Sequence, residues 1–132
     1  MDGFSSSKFT QALAPDTYSA ALGDGTAIDG RGFQYAIFIV SAGTIDAAGA
    51  AVVQIESSDA VAGTYADVTG AVVTADTDGE VLTIAVRLDG TSGWVRTKNA
   101  TSSGTSIDLG VTCVLTNAIN SANYASTPTV SV

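Results

Sequence analysis

The chain has no histidine, which removes the usual general base, the commonest zinc ligand, and the Ser-His and Cys-His nucleophile pairs. Its one cysteine, Cys113, can form no internal disulfide, so nothing speaks for an oxidising compartment. That residue lies among Val111, Thr112, Val114 and Leu115, the setting of a thiol that packs as a small hydrophobe. Basic residues are scarce: five Lys and Arg against 13 Asp and Glu give a net charge of -8. A nucleic-acid site needs clustered cations to displace counterions, so DNA and RNA are not expected partners. No apolar run approaches the roughly 20 residues of a membrane span. The opening MDGFSSSKF lacks the apolar core of an export signal, which places the chain in a cytoplasm or in something assembled there. Charged residues make up only 14% of the chain. The polar surface must therefore come from Ser, Thr, Asn, Gly and backbone, which suits packing against other protein.

Helix signals are nearly absent, with only two glutamates and sparse leucine. Val, Ile and Thr recur instead in short runs, punctuated by Gly, Asp, Ser and Asn every 8–12 residues or so, the rhythm of a sandwich or barrel. In LTIAVRL, Leu82, Ile84, Val86 and Leu88 alternate with Thr83, Ala85 and Arg87; SIDLGVTCVL alternates in the same way through Ile107, Leu109, Val111, Cys113 and Leu115. FQYAIFIV, residues 33–40, is apolar almost throughout, which fits a central strand covered within by the opposite sheet and outside by something further, such as a neighbouring subunit. Segments 51–57, 64–68 and 93–98 bring the set to six strands, and weaker ones at 17–22 and 71–75 to eight. The expected fold is all-β: a two-sheet antiparallel β-sandwich, jelly-roll-like, in a single domain over 1–132. Residues 1–16 and 117–132 show no period, carry the only prolines, Pro15 and Pro128, and read as extended N- and C-terminal arms.

The constellations that could carry chemistry each have a plainer reading. Asp76, Asp78 and Glu80 in ADTDGE resemble the start of a calcium loop, but the twelfth-position glutamate and flanking helices of an EF-hand are missing. A turn with solvated acids explains them; a weak divalent site shared with Asp29 or Asp46 is the alternative. The acids sit in contexts such as DG, SD and TD, where hydrogen bonds to local backbone account for them. With no nucleophile, base and orienting group in one neighbourhood, neither a catalytic residue, a metal ligand nor a cofactor is assigned, and an enzyme is not expected. Arg96 and Lys98 share one face of a strand with Trp94. They read either as a solvated face with cationic stems over a half-buried indole, or as interface anchors, since Trp and Arg are enriched where interfaces concentrate binding energy. Trp94, Arg96 and Lys98, with Tyr124 and Pro128 on the C-terminal arm, are the candidate interface residues. Asn99-Ala100-Thr101 matches a glycosylation sequon that a chain without an export signal does not expose to the transferase.

One ordered set of motifs goes further. Gln54, Glu56, Ser57, Asp59, Gly63, Tyr65, Asp67 and Val68 form a Q-x-E-S-x-D…G-x-Y-x-D-V hairpin. It is followed by Trp94, Val95 and Arg96, then by Ser103, Gly104, Thr105 and Ser106. This order, over about residues 33–115, resembles capsid decoration or cement proteins of tailed bacteriophages. The resemblance implies a β-sandwich on the virion's capsid surface, assembled in the host cytoplasm, often a homotrimer, that clamps neighbouring copies of the major capsid protein and carries no catalytic residue. Hairpins of this kind also occur in tail, fibre and head-to-tail connector proteins, the alternative reading. A calcium-dependent enzyme or adhesin is a third.

Overall fold

The computed structural model describes residues 7–18, 23–46, 49–88, 93–101, 106–116 and 130–131. Its elements are the strands β1 (Ser7–Tyr18), β2 (Gly23–Asp24), β3 (Ile28–Asp29), β4 (Tyr35–Ile45), β5 (Ala51–Ser58), β6 (Ala66–Ala75), β7 (Val81–Arg87), β8 (Trp94–Thr101), β9 (Ile107–Thr116) and β10 (Val130–Ser131). They form two sheets, one in the order β1-β9-β4-β7-β10 and the other β2-β8-β5-β6, with β3 also paired to β8. All pairings are antiparallel except β10 on β7. The partners nest: β5 with β6, then β4 with β7, β3 with β8 and β1 with β9, alternating between the sheets. The chain is thus an all-β two-sheet sandwich, as its period-two segments require.

The alternation read from the sequence decides what is inside. Ile84 and Val86 of β7, and Ile107, Leu109, Val111, Cys113 and Leu115 of β9, point inward and are buried. They meet Ala36, Phe38 and Val40 of β4, and Val53 and Ile55 from the opposite sheet, in one core. β4 is the central strand expected at 33–40, between β9 and β7. Its inner face is closed, while Tyr35, Ile37 and Ile39 on the outer face are only half-buried.

Residues 7–16, expected to lie in an arm, instead form most of β1, an edge strand paired with β9 along its length. The pattern was hidden because the register shifts twice, between Gln11 and Leu13 and between Leu13 and Asp16. Such bulges break period two, and only Ala12 and Leu13 of the strand are buried. Pro15 sits at one of these irregularities, where an edge tolerates a missing N–H. At the other arm Val130 and Ser131 pair with β7, and residues 117–129 and 132 lie outside the described residues. The weaker strand at 71–75 is continuous with 66–68 as β6. Of the one at 17–22, Thr17 and Tyr18 end β1 and the rest is outside the described residues.

Two glycines mark where close approach leaves no room for a side chain. Gly25 donates its N–H to Thr97 O at 2.8 Å while Thr26 donates to Ala12 O at 2.8 Å, so this pair of residues stitches the edge of one sheet to the edge of the other. A Cβ on Gly25 would run into both Ala12 O and Thr97 Oγ1. Gly70, at φ 82°, lies in the β6 bulge opposite Ile55, in the left-handed region that favours glycine.

Candidate functional site

Gln54, Glu56, Tyr65, Asp67, Trp94 and Arg96 of the motif gather on the outer face of the second sheet, while Val95 is in the core, Ser106 donates to Asp46, and Ser103, Gly104 and Thr105 lie outside the described residues. β5 is alternating, so Gln54 and Glu56 face outward while Val53 and Ile55 face the core. Antiparallel pairing sets Glu56 opposite Arg96 of β8 on one side and Asp67 of β6 on the other, and Gln54 opposite Lys98. Arg96 Nε donates to Glu56 Oε1 at 2.6 Å and its Nη2 stands 3.1 Å from Asp24 Oδ2 on β2. The guanidinium lies over the Tyr65 ring, 3.9 Å from its centre. Lys98 Nζ donates to Asp67 Oδ1 at 2.6 Å. Around Trp94 the arrangement repeats: the Arg31 guanidinium is 5.4 Å from the indole centre and is held in a two-bond fork by Asp29, with 2.8 Å from Nε to Oδ1 and 2.8 Å from Nη2 to Oδ2.

Burial ranks these contacts. The Glu56 side chain is 5% exposed and that of Arg96 27%, so this pair is largely withdrawn from water. Lys98 and Asp67 are each about half exposed, and such a pair contributes under about 1 kcal/mol. Burial works against the Arg96 charge, but the hydrogen bond and charge of Glu56, with Asp24, outweigh it and hold the guanidinium above the ordinary arginine pKa. The hydrogen bond that Lys98 donates to Asp67 likewise raises Lys98. The side-chain and backbone hydrogen bonds from Arg31 bring Asp29 down to about 2.

The hairpin itself is built from local satisfaction. Four residues of β6, Val68–Ala71, stand opposite the single residue Ile55, which frees backbone carbonyls from the ladder. Gln54 Nε2 donates to two of them, Ile55 O at 2.8 Å and Val68 O at 2.9 Å. Tyr65 Oη donates to Val61 O at 3.0 Å, which fixes the ring over Arg96. A Cβ on Gly63 would strike Ser58 Oγ, the atom that accepts the Ala60 N–H.

Of the candidate interface residues, Trp94, Arg96 and Lys98 are brought together on this face, each engaged by a neighbour within the chain. Tyr124 and Pro128 lie outside the described residues. Sequence reasoning missed Glu56, Asp24 and Tyr65 as partners of Arg96. The available signal was parity, since acids and bases on the same face of neighbouring apolar-patterned strands recruit each other when the strands pair. The sequon residue Asn99 faces inward, buried, and donates to Gly23 O and Thr97 Oγ1.

The acids of ADTDGE hold turns. Asp78 accepts Ile45 N–H at 2.8 Å and Glu80 accepts Asp76 N–H at 3.1 Å, while Asp46 accepts Ser106 N–H at 3.1 Å. Among the described residues no three His, Cys, Asp or Glu side chains gather as a metal site would need. An open groove of about 430 Å³ lies at one end of the first sheet's outer face, with Gln11, Asp16, Ser41, Gly43, Asp108 and Thr112 among its walls. Thr17 Oγ1 donates to Asp108 Oδ1 there at 2.6 Å. No described helix is long and apolar enough to cross a membrane.

Comparison with protein-family models gives no match to this chain, and comparison with curated proteins gives none either.

Proposed function

We propose that this chain is a structural virion protein of a tailed bacteriophage, binding the outside of an assembled capsid and stabilising it by clamping major capsid subunits. It acts without catalysis, cofactor, nucleic acid or membrane, and several copies, a trimer by the resemblance, share the load. The observation that carries the reading is convergence. Of the residues on which the resemblance rests, Gln54, Glu56, Tyr65, Asp67 and Arg96, with Lys98, brace the β5–β6 hairpin against β8. The nested pairing of β1 with β9, β3 with β8, β4 with β7 and β5 with β6 also supports it, since a jelly roll, a fold common among viral shell proteins, would pair its strands in that way. A small rigid body repeated over a shell gains its strength from many modest contacts acting together, and needs no deep pocket.

Labelled antibody against the protein, viewed on phage particles by electron microscopy, tests the reading. Label over the whole head is expected. Label confined to one vertex or to the tail gives the protein to a connector, tail or fibre instead, and unlabelled particles reject a virion role. Removing residues 1–6 or 117–132 and measuring occupancy on undecorated heads asks separately whether the chain ends make the clamp; unchanged binding for both truncations rejects that part.

A further inference from the structure

A sheet ends in a strand whose outer backbone has no ladder partner, and folds commonly blunt such edges with charge, proline, bulges or brevity. Three of the four edges here are blunted. β1 carries Lys8, Pro15 and two register shifts. β10, at the other end of that sheet, is two residues long, and so are β2 and β3, which lie in tandem along β8. The fourth edge is β6, and among the described residues no strand pairs with its outer side. Its first half is blunted too, by Asp67 and by the bulge at Val68–Ala71. Its second half is not. Val72 to Ala75 pair in unbroken register with Gln54 to Ala51, and together with Ala71 they hold no charge, glycine or proline. Ala71, Val73 and Ala75 enter the core, while Val72, 38% exposed, and Thr74 face outward.

We propose that a second copy of this chain adds to this half of β6, edge to edge, so that the two second sheets join into one across a two-fold axis at Val73. A two-fold between identical strands makes them antiparallel and the contact self-complementary. Centred on Val73, it sets Ala71 opposite Ala75 and Val72 opposite Thr74, core side to core side and exposed to exposed, as the pleat demands. A centre at Thr74 would bring Asp76 against Val72, and a centre at Val72 would draw the bulge into the ladder. The Val73 register uses all five uncharged residues and leaves Asp76 opposite Gly70, so no like charges face each other within the paired stretch. For a chain of net charge -8, that is the condition on which two copies can approach.

The contact is small. Five residues at about 3.4 Å, across two layers about 10 Å apart with side chains beyond them, outline roughly 350 Å² per copy. About 700 Å² in all lies in the range of weak, transient interfaces, and main-chain hydrogen bonds across the joined edge supply the affinity. The pair is therefore reversible, and it stands independently of the virion reading.

Sedimentation equilibrium of the full chain, from low micromolar to millimolar concentration and in enough salt to screen the net charge, is the test. The apparent mass is expected to rise from one chain toward two. Val72→Lys combined with Thr74→Lys sets lysine against lysine on both sides of the axis and should hold the mass at one chain. Val72→Glu with Thr74→Glu should do the same with carboxylates. Both positions are exposed, so circular dichroism should be unchanged in each double variant. An equal mixture of the two should recover the two-chain mass, which damaged subunits could not do. A single-chain mass of the parent at every concentration, a three-chain mass, a dimer that persists in either double variant, or a mixture that stays monomeric overturns the proposal. So does a monomeric parent whose binding to phage heads is lost in the lysine variant, which would give the edge to a strand of another protein.

Discussion

Replacing Arg96 with methionine keeps most of the aliphatic stem against Tyr65 and removes the charge beside Glu56. The carboxylate left behind has a side chain only 5% exposed, and Lys98, on the same face, is turned to Asp67. Breaking a fully buried ion pair costs about 3–5 kcal/mol, and an exposed one under about 1 kcal/mol. With Arg96 itself 27% exposed, the loss should fall near 3 kcal/mol, an order-of-magnitude figure between those limits. At roughly 2.1 cal/mol/K per residue, the unfolding entropy of 132 residues is about 0.28 kcal/mol/K, so Tm should drop by about 10 °C. Glu56→Gln should cost less, about 1 kcal/mol, because the more exposed Arg96 keeps Asp24 and water. The double variant should then be more stable than the sum of the two losses predicts, by at least about 1 kcal/mol. Urea unfolding of the four proteins measures all of this. A deficit under about 0.5 kcal/mol, or one that is additive with Glu56→Gln, refutes the claim that Glu56 depends on Arg96.

Three further outcomes are expected. Gly25→Ala forces a methyl group into Ala12 O and Thr97 Oγ1 at the seam between the sheets; it should lower stability by about 2 kcal/mol or more, where an exposed Gly-to-Ala change elsewhere is worth under about 1 kcal/mol, and a neutral result in urea unfolding would remove the seam. Gln54→Ala strips two carbonyls of their donor in the β6 bulge, with an expected loss of about 1–2 kcal/mol and faster amide exchange in residues 66–72 by NMR; exchange confined to other regions would contradict that role. Asp29 is held down to about 2 by Arg31, so its contribution is present in full above the ordinary aspartate range near pH 4 and is lost as pH falls toward 2. The Tm of parent and Asp29→Asn should therefore differ at pH 5–7 and converge by about pH 2, and a gap that persists at pH 2 argues against the pair as its source.

The parts of the fold legible from sequence were those in which burial imposes a strict alternation. In β7 and β9 each second side chain enters the core without interruption, so Leu82 to Leu88 and Ile107 to Leu115 announced themselves. β4 was legible for the opposite reason, since apolar residues on both faces mark a sheet centre whatever covers it. β1 was not. Its two register shifts and its place at a sheet edge leave buried only two adjacent residues, Ala12 and Leu13, and two neighbours cannot show a period. The short β2 and β3 were hidden as well, because GDG and DGRG carry turn chemistry and owe their strand geometry entirely to the β8 edge they lie against.

The site was legible only to the level of parity. Period two places Trp94, Arg96 and Lys98 on one face of β8, but whether those groups are available depends on what the neighbouring strands set beside them. That is decided by register between segments some 40 residues apart, which no local pattern encodes. Once Glu56 and Asp67 are opposite, Arg96 and Lys98 are spent on holding β2, β5, β6 and β8 together. An interface built there would first have to break contacts the fold relies on. Binding energy is gained most readily where desolvation costs least. By that argument the charged row around Arg96 serves the fold before it could serve a partner.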